Sequence, residues 1–581
     1  MSNIGRILKF IKPYRRQAIL SLLLLLGVVA ADLLVPRLTQ RIIDEGVAKQ
    51  DMGMILSTSL LMLGAATVSA LFSVGNTVLS VRVAMGFSAD LRSAIVRTVQ
   101  SWSFGNLDRF QTGKLLVRAT SDVNQVQLIV QMFLRIMTRA PLWMLGSVVM
   151  LTITSRQMAL LMLALFPIVA VIITLFLTRV RPLVMAVQQA LDRLNQVLQE
   201  NLAGVRVVKA FVRAEHENGR FDAANVDLTG ENMRAMQLVA LLVPTMMFLV
   251  NMGIVGVIWL GGRSVAAGSL SAGEIVASIN YMTFSLFPMM MLAGMLGPIS
   301  AADASAQRIN EVLQSEPAVE DRPAAQPLVA VKGRVAFEDV CFSYDPGCAA
   351  PVLDGINLVA EPGETVAILG ATGSGKSSLI HLIPRFYDVG AGRVTLDGVD
   401  VRDIRLDDLR AQIGIAMQEA VLFSGTIRDN IRYGRPDAPE DEVVAAARSA
   451  QAHEFIAAFP DGYDTVVGQR GVNLSGGQKQ RISIARALLV RPKVLILDDS
   501  TSAVDVETET EIQVALERLM AESTNFIIAQ RVSTVLNADK IAVLEEGRVA
   551  AEGTHVELMS SSPLYRQIYM SQLGEGVTGH V

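Results

Sequence analysis

Two short stretches of this 581-residue chain hold residues of the types and spacing that handle phosphate. Gly370-Ala-Thr-Gly-Ser-Gly-Lys-Ser-Ser378 follows the apolar run Thr365 to Leu369 and matches G-x-x-x-x-G-K-[ST] in the strand-then-helix setting that the pattern requires. Its glycines let the backbone curl so that N–H groups surround phosphate oxygens, while Lys376 supplies a point charge and Ser377 a hydroxyl for Mg²⁺. The second stretch runs from Asn473 to Asp505. It opens on Leu474-Ser-Gly-Gly-Gln478, a turn at the start of a helix, where backbone N–H groups and the Ser475 hydroxyl meet the positive helix end. That helix must stop before Pro492. Val494 to Leu497 then reads as a buried strand, and Asp498 at its end puts a carboxylate where it would serve Mg²⁺, with Asp499 beside it.

The rest of the chain must position these groups, and its composition sets bounds. With 51% hydrophobic residues and a mean hydropathy of +0.41, the chain is too apolar for an ordinary soluble protein, so a membrane portion is expected. Lys and Arg (51) nearly balance Asp and Glu (55), and no basic domain stands out, which argues against a nucleic-acid partner. Cys341 and Cys348 are the two cysteines, both in the more polar second half. They form no disulfide framework there and suit a reducing compartment. Five scattered histidines (216, 381, 453, 555 and 580) make zinc an unsuitable ion.

The first half holds six apolar stretches long enough to cross a bilayer: Ala18 to Ile43, Met54 to Val81, Leu134 to Thr154, Met158 to Leu177, Leu238 to Leu260 and Ile275 to Ile299. The basic start, the apolar run from Ala18 and Val29-Ala30-Ala31 imitate a signal peptide. The run continues to Val35 and more spans follow, so a retained first helix is the better reading. Arg and Lys concentrate in the N-terminus, in Arg82 to Gln131 and in Arg179 to Gln237, which places both chain ends in the cytoplasm. Leu91, Ile95 and Val99, and Gln188, Leu191, Leu194, Leu198 and Leu202, recur at helical spacing. The membrane helices are therefore expected to extend well past the bilayer.

Few polar residues interrupt the spans: Asp32, Asn251 and Asn280, with Arg37 and Arg41 towards the outer end of the first. Asp32 reads either as part of a substrate pathway or as a near-surface carboxylate paired with Arg37. Methionines such as Met246, Met247 and Met289 to Met291 offer an adaptable apolar surface or simply packing. Pro141, Pro167, Pro244 and Pro288 bend or loosen their helices.

From Ser315 to Lys332 three prolines mark an extended connector. A strand from Arg334 to Val340 leads to Tyr344, and Gln418 follows another apolar strand. The phosphate loop, Leu474 to Gln478, Asp498 and Ser502-Ala-Val-Asp505 stand in the order of Walker A, signature, Walker B and D-loop, so the second half resembles the nucleotide-binding domain of ABC proteins. With six preceding spans, the chain is identified as an ABC exporter half-transporter. The implied fold is an all-α six-helix transmembrane domain (1–314) with long cytoplasmic helical extensions. A linker (315–332), an α/β P-loop NTPase domain of ABC type (333–575) and a tail (576–581) follow. The resemblance gives Tyr344 the role of stacking on adenine. It sets Gly370, Thr372, Gly373, Ser374, Gly375, Lys376, Ser377 and Ser378 around the phosphates of ATP, and makes Gln418 the Q-loop residue near Mg²⁺ or water. It makes Asp498 a Mg²⁺ ligand, and assigns Ser475, Gly476, Gly477, Gln478 and Asp505 to the signature and D-loop. The regions from Phe104 to Val126 and from Gly204 to Phe221 look like coupling loops that would touch a nucleotide domain.

The chain departs from that family pattern. Asp499 stands where active members have glutamate, one methylene shorter, and a misplacement of about 1 Å can cost roughly a hundredfold in rate. Gln530 replaces the switch histidine; an amide can bond a γ-phosphate but carries no imidazolium charge. Gln469 stands where exporters commonly have glutamate. Two losses at one site resemble the degenerate subunit of a heterodimeric multidrug-type exporter, in which Walker A of one chain faces the signature of the other. The implied partners are a second half-transporter, the lipid bilayer and a hydrophobic or amphipathic substrate, with prokaryotic plasma membrane as the location. A homodimeric lipid or drug exporter with slow ATPase, and an ATP-gated or channel-like membrane protein, are the rival readings.

Overall fold

A computed structural model describes residues 3–328, 330–345, 351–499, 523–529 and 532–573. Asp505 and Gln530, and with them Cys348, lie outside the described residues. Two compact units emerge: Met1–Gln100 with Thr112–Ser315, and Ser101–Gln111 with the chain from Glu316 onward.

The first unit is helical. Five helical stretches among the described residues are long and apolar enough to span a membrane: Asn3–Val47, Met52–Ser101, Thr112–Thr154, Arg156–Ala203 and Ala214–Ala266. Met52–Ser101 is one helix of 50 residues, Arg156–Ala203 of 48 and Ala214–Ala266 of 53. At about 1.5 Å per residue such a helix is roughly 75 Å long, against a hydrocarbon core of about 30 Å, so the helical periodicity in the basic segments does continue the spans. The sixth expected span falls mainly on the 23-residue helix Ala272–Gly294. Polar groups at its start hold the helix in place. Glu274 and Ser271 form its capping box, and Asp44 accepts bonds from the Ser271 hydroxyl (2.6 Å) and the Gly273 N–H (2.9 Å). The buried Tyr281 hydroxyl donates to the Leu33 carbonyl at 2.9 Å.

Leu23, Leu61, Leu63, Leu160 and Trp259 remain exposed on these helices, as lipid-facing side chains would, while Asn76 and Ser147 are buried. The buried Asn76 amide donates to the carbonyls of Ser21 (2.8 Å) and Leu134 (3.2 Å). Leu134 lies in the π-helical turn Phe133–Met137, and the bond satisfies a carbonyl at that irregularity. The Asp32 carboxylate does not pair with Arg37, whose guanidinium instead donates to Gln40. It accepts from Ser69 (2.8 Å), Arg139 (3.0 Å) and Trp143 (3.2 Å), because those residues on neighbouring helices face it while Arg37 points along its own helix. The Arg139 guanidinium also lies over the Trp143 ring at 4.0 Å. Asp122 with Arg308 and Ser305, and Arg118 with Glu311, tie the segment around Arg118–Asp122 to the helix Leu296–Leu313.

The second unit is α/β. Its strands are β1 (Val335–Phe342), β2 (Leu353–Ala360), β3 (Thr365–Gly370), β4 (Ala391–Leu396), β5 (Val399–Asp400), β6 (Ile413–Ala416), β7 (Gly425–Thr426), β8 (Val466–Val467), β9 (Val494–Asp498), β10 (Thr524–Ile528), β11 (Lys540–Glu545) and β12 (Arg548–Gly553). The order β12-β11-β3-β10-β9-β6 makes the main sheet, parallel except for β12, while β2-β1-β4-β5 form an antiparallel sheet. Residues of β9 alternate between two cores: Val494 and Ile496 join one, Leu495 and Leu497 the other. A strand covered on both faces must read as an unbroken apolar run, which is why its sequence lacks a polar alternation.

The segment Ser101–Gln111 belongs to this unit. Ser103 and Asn106 cap the short helix Phe104–Arg109, Phe104 stacks on Phe386 with centroids 4.0 Å apart, and Tyr387 donates to Asp108 at 2.7 Å. Asn106 also bonds the Glu316 carbonyl and the Ala318 N–H, both at 2.8 Å. Residues 316–328 are irregular, as the prolines imply, yet they are not a free connector: Arg322 pairs with Asp403 and Gln326 bridges Ile404.

Replacing Arg139 by Ala leaves Asp32 without its cation inside an apolar helical unit. A drop in unfolding free energy of about 1–3 kcal/mol is expected, less than the roughly 3–5 of a fully buried pair because both side chains keep some exposure. Thermal unfolding in detergent measures it, and Arg139→Lys should retain part of the loss.

Candidate functional site

Three parallel strands of the main sheet deliver the site from their carboxyl ends, where crevices form in such sheets. β3 ends at Gly370 and turns into the phosphate loop, β9 ends at Asp498, and β6 leads to Gln418. The loop adopts the turns that its glycines were expected to allow: Gly370, Gly373 and Gly375 have φ of 152°, 85° and 101°. At Gly375 a Cβ would come 2.7 Å from Leu353 Cδ2 and 3.1 Å from the Val352 carbonyl.

Lys376 Nζ donates to the carbonyls of Gly370 and Ala371, both at 2.9 Å. Burial pushes its ammonium below the ordinary range, opposed by the Asp499 and Asp498 charges. Ser377 Oγ donates to Asp498 Oδ1 at 3.1 Å. Burial pushes the Asp498 carboxyl up, while the Ser377 bond and Lys376 draw it back. Gln418 Nε2 donates to Asp499 Oδ2 at 3.3 Å, and Asp499, itself buried, holds φ 46°, a left-handed conformation that Asp tolerates. Tyr344 is exposed; its hydroxyl lies 2.9 Å from Ser378 Oγ and its ring meets Phe342 and Tyr387 edge-on.

A cavity of about 320 Å³ gathers Tyr344, Thr372, Gly373, Gly375, Lys376, Ser377, Ser378, Gln418, Asp498 and Asp499. Two observations test it against a nucleotide with Mg²⁺. The buried Ser374 hydroxyl has no hydrogen-bond partner among the described residues, and the space around a Cβ at Gly373 is open, as a phosphate cradle requires. No group of three or more His, Cys, Asp or Glu gathers among the described residues. A hydroxyl beside one carboxylate fits Mg²⁺, which takes few protein ligands and completes its shell with phosphates and water.

Ser475, Gly476, Gly477 and Gln478 do not line that cavity. Ser475 caps the helix Gly476–Leu489: its hydroxyl accepts from the Gln478 N–H (3.3 Å), and the Gln478 side chain accepts from the Ser475 N–H (2.9 Å). The hydroxyl proton and the N–H groups of Gly476 and Gly477 stand at an exposed helix start.

One residue of the site escaped the sequence reading. His381 follows Ser377 by four positions on the same helix, and its Nε2 lies 3.8 Å from Asp498 Oδ2. The i, i+4 spacing from Ser377 was the available signal. Burial pushes its imidazole down and the Asp108 charge opposes this.

Residues 18–289 match the family model of the ABC transporter transmembrane region, and residues 353–502 that of the ABC transporter. The chain is 41% identical over 572 residues to an uncharacterized ABC transporter ATP-binding protein, YfiB, of Bacillus subtilis, covering 98% of both. It is 38% identical over 491 residues to an ATP-dependent lipid A-core flippase of Syntrophus aciditrophicus, covering 84% of this chain and 81% of that one. A solved bacterial Atm1-family ABC exporter with ATP bound superposes with a TM-score of 0.80 at 27% identity, covering 97% of this chain and 99% of that chain. Apolar spans joined to a P-loop α/β unit thus make a membrane transporter driven by ATP. The chain belongs to the ABC transporter family, as an exporter half-transporter with its membrane domain fused to its nucleotide-binding domain.

Gly375→Ala forces a side chain into positive φ against Leu353. Its nucleotide affinity should fall at least about tenfold, since roughly 1.4 kcal/mol suffices for that. A fluorescent ATP analogue titrated against the full chain measures it.

Proposed function

We propose that this chain is one subunit of a heterodimeric exporter that moves a hydrophobic or amphipathic, lipid-like substrate outward. In this reading its own ATP site holds nucleotide and hydrolyses it poorly, while its signature completes the partner's site. One observation supports the pairing: the cavity that unites the phosphate loop, Asp498 and Asp499 includes none of Ser475 to Gln478, as expected if a second chain's signature completes it, and Asp499 in place of glutamate supports unequal roles for the two chains. A further support lies in the first unit. Val207, Phe211 and Val212 at and beyond the helix Val205–Ala210 are 61%, 72% and 87% exposed, an apolar helix end that a second chain's nucleotide domain would cover.

The residues take these roles. The curled glycine backbone with Ser374 and Lys376 binds the β- and γ-phosphates of ATP. Ser377 and Asp498 hold Mg²⁺, and Tyr344 lies against the base. Bound Mg²⁺ would neutralise charge on the phosphates. Gln418 reaches Asp499 and reports occupancy of the site. Asp499 would orient the attacking water, but its carboxylate is one methylene shorter than glutamate, and Gln530 offers the γ-phosphate an amide in place of a histidine. Tight binding with slow turnover follows. The partner is a related half-transporter bearing the missing glutamate and histidine; closure on ATP drives the spans, and hydrolysis at the partner's phosphate loop reopens them. The nucleotide domain and both termini lie in the cytoplasm of a prokaryotic cell, with the spans in its plasma membrane, as the distribution of Arg and Lys favours. Similarity to a lipid A-core flippase supports a lipid-like cargo.

A homodimer with slow ATPase is the second reading, favoured by the carboxylate that Asp499 retains and its contact with Gln418. Purified alone, the chain should show little ATPase, and activity should appear on adding the complementary half-transporter. Asp499→Glu combined with Gln530→His should raise hydrolysis by about tenfold or more, the scale of a well-placed general base. Robust hydrolysis by the unmodified chain alone would overturn the heterodimer in favour of the homodimer.

A further inference from the structure

We infer that His381 is the positioning residue for the Mg²⁺ carboxylate: its Nε2–H donates to Asp498 Oδ2 when the metal is held, fixing which oxygen faces the ion. This rests on the reading of Ser377 and Asp498 as the Mg²⁺ site.

A buried polar atom with no partner calls for an explanation. His381 Nε2 is such an atom: it is buried, has no hydrogen-bond partner among the described residues, and lies 3.8 Å from Asp498 Oδ2, just beyond a bond. The other oxygen, Oδ1, accepts from Ser377. The two donors come from one helix, four residues apart and therefore on one face, and they bracket a single carboxylate. A metal held by Ser377 and Asp498 would compete with the bond between them. Oδ2 would then rely on a donor other than Ser377, and a buried acceptor without one is costly. Nε2 is the donor in place to meet it, with a shift of about 0.6–1.1 Å from a long contact to a normal one.

The imidazole is braced from its other side. Its ring centroid is 5.7 Å from Phe386 and 6.4 Å from Phe104, and those two rings stack at 4.0 Å. Phe104 opens the helix Phe104–Arg109, so the wall that sets the imidazole includes the segment Ser101–Gln111. Outer-shell donors of this kind typically change metal affinity by about 10–100-fold when removed, and leave ligand binding that needs no metal untouched.

The experiment uses the full-length protein in nanodiscs, with binding of trinitrophenyl-ATP followed by fluorescence while Mg²⁺ is titrated, and a parallel measurement in EDTA. His381→Leu should raise the Mg²⁺ concentration for half-maximal binding about tenfold or more while binding in EDTA stays unchanged. His381→Gln keeps an N–H near the place of Nε2 and should stay within about threefold of the unmodified protein. Electron paramagnetic resonance of Mn²⁺ in place of Mg²⁺ gives an independent readout, with the same ranking of variants. An unshifted His381→Leu, or a His381→Gln shifted as far as His381→Leu, would overturn the proposal. Should His381→Leu lose binding in EDTA through misfolding, His381→Met is judged by the same criteria. If the unmodified protein binds no nucleotide, both readings fall; metal-dependent binding that ignores His381 removes only this one.

Discussion

The bond from Ser377 Oγ to Asp498 Oδ1 joins the two halves of the site, and much of the nucleotide unit exists to make it possible. Ser377 sits in the first turn of a helix that begins where β3 ends; Asp498 is the last residue of β9. The two strands are not neighbours, since β10 lies between them and pairs in parallel with both. Their carboxyl ends therefore line up only if the register across three strands holds. That register is enforced by burial on both faces, because any slip would carry apolar residues of β9 from one core into the other. A carboxylate this buried would ordinarily favour its protonated form, and the hydroxyl of Ser377 and the ammonium of Lys376 oppose that tendency. The sheet beneath thus holds the hydroxyl and the carboxylate side by side.

The membrane unit answers the opposite constraint. Its helices place leucines outward and must satisfy every polar group inside, since lipid offers no hydrogen bonds. Asp32 is surrounded by Ser69, Arg139 and Trp143, and Asn76 spends its amide on two carbonyls, one of them at a π-helical turn. These contacts all join different helices. A polar residue in this unit therefore acts as a local fastener, and its partner is chosen by helix packing.

That distinction explains what the residues alone could reveal. The phosphate loop, the strand before it and Asp498 were legible because the chemistry is local: glycines at fixed offsets, a lysine and a serine at a helix start. The helical extensions were legible because 3.6-residue periodicity persists through Leu91, Ile95 and Val99 into charged sequence. Asp32 was open between two readings, and its true partner Arg139 is more than a hundred positions away, a distance no pattern bridges. The sixth span reads from hydropathy alone, while the contacts that seat its helix, through Glu274, Ser278 and Tyr281, do not. Prolines mark the connector after Ser315 as lacking regular structure, while its docking depends on Asn106 and Asp403, far away in sequence.

On the proposed reading, the chain's asymmetry has a simple physical origin. Its signature turn satisfies its own helix start through the capping box of Ser475 and Gln478, so it is already shaped before any partner arrives, with further N–H groups left at an exposed end. Asp499 does not belong to that turn: it follows β9, beside Asp498 in the chain's own phosphate site. At that site the losses fall on reach and charge, and the groups that bind are kept: Lys376, Ser377 and Asp498 remain in contact distance of one another or of the loop. Binding and hydrolysis make separate demands on geometry, since positions that hold phosphates tolerate a missing base while the attack on phosphorus does not. One chain can therefore lose turnover at its own site, still clamp nucleotide there, and remain fully competent to complete a partner's site.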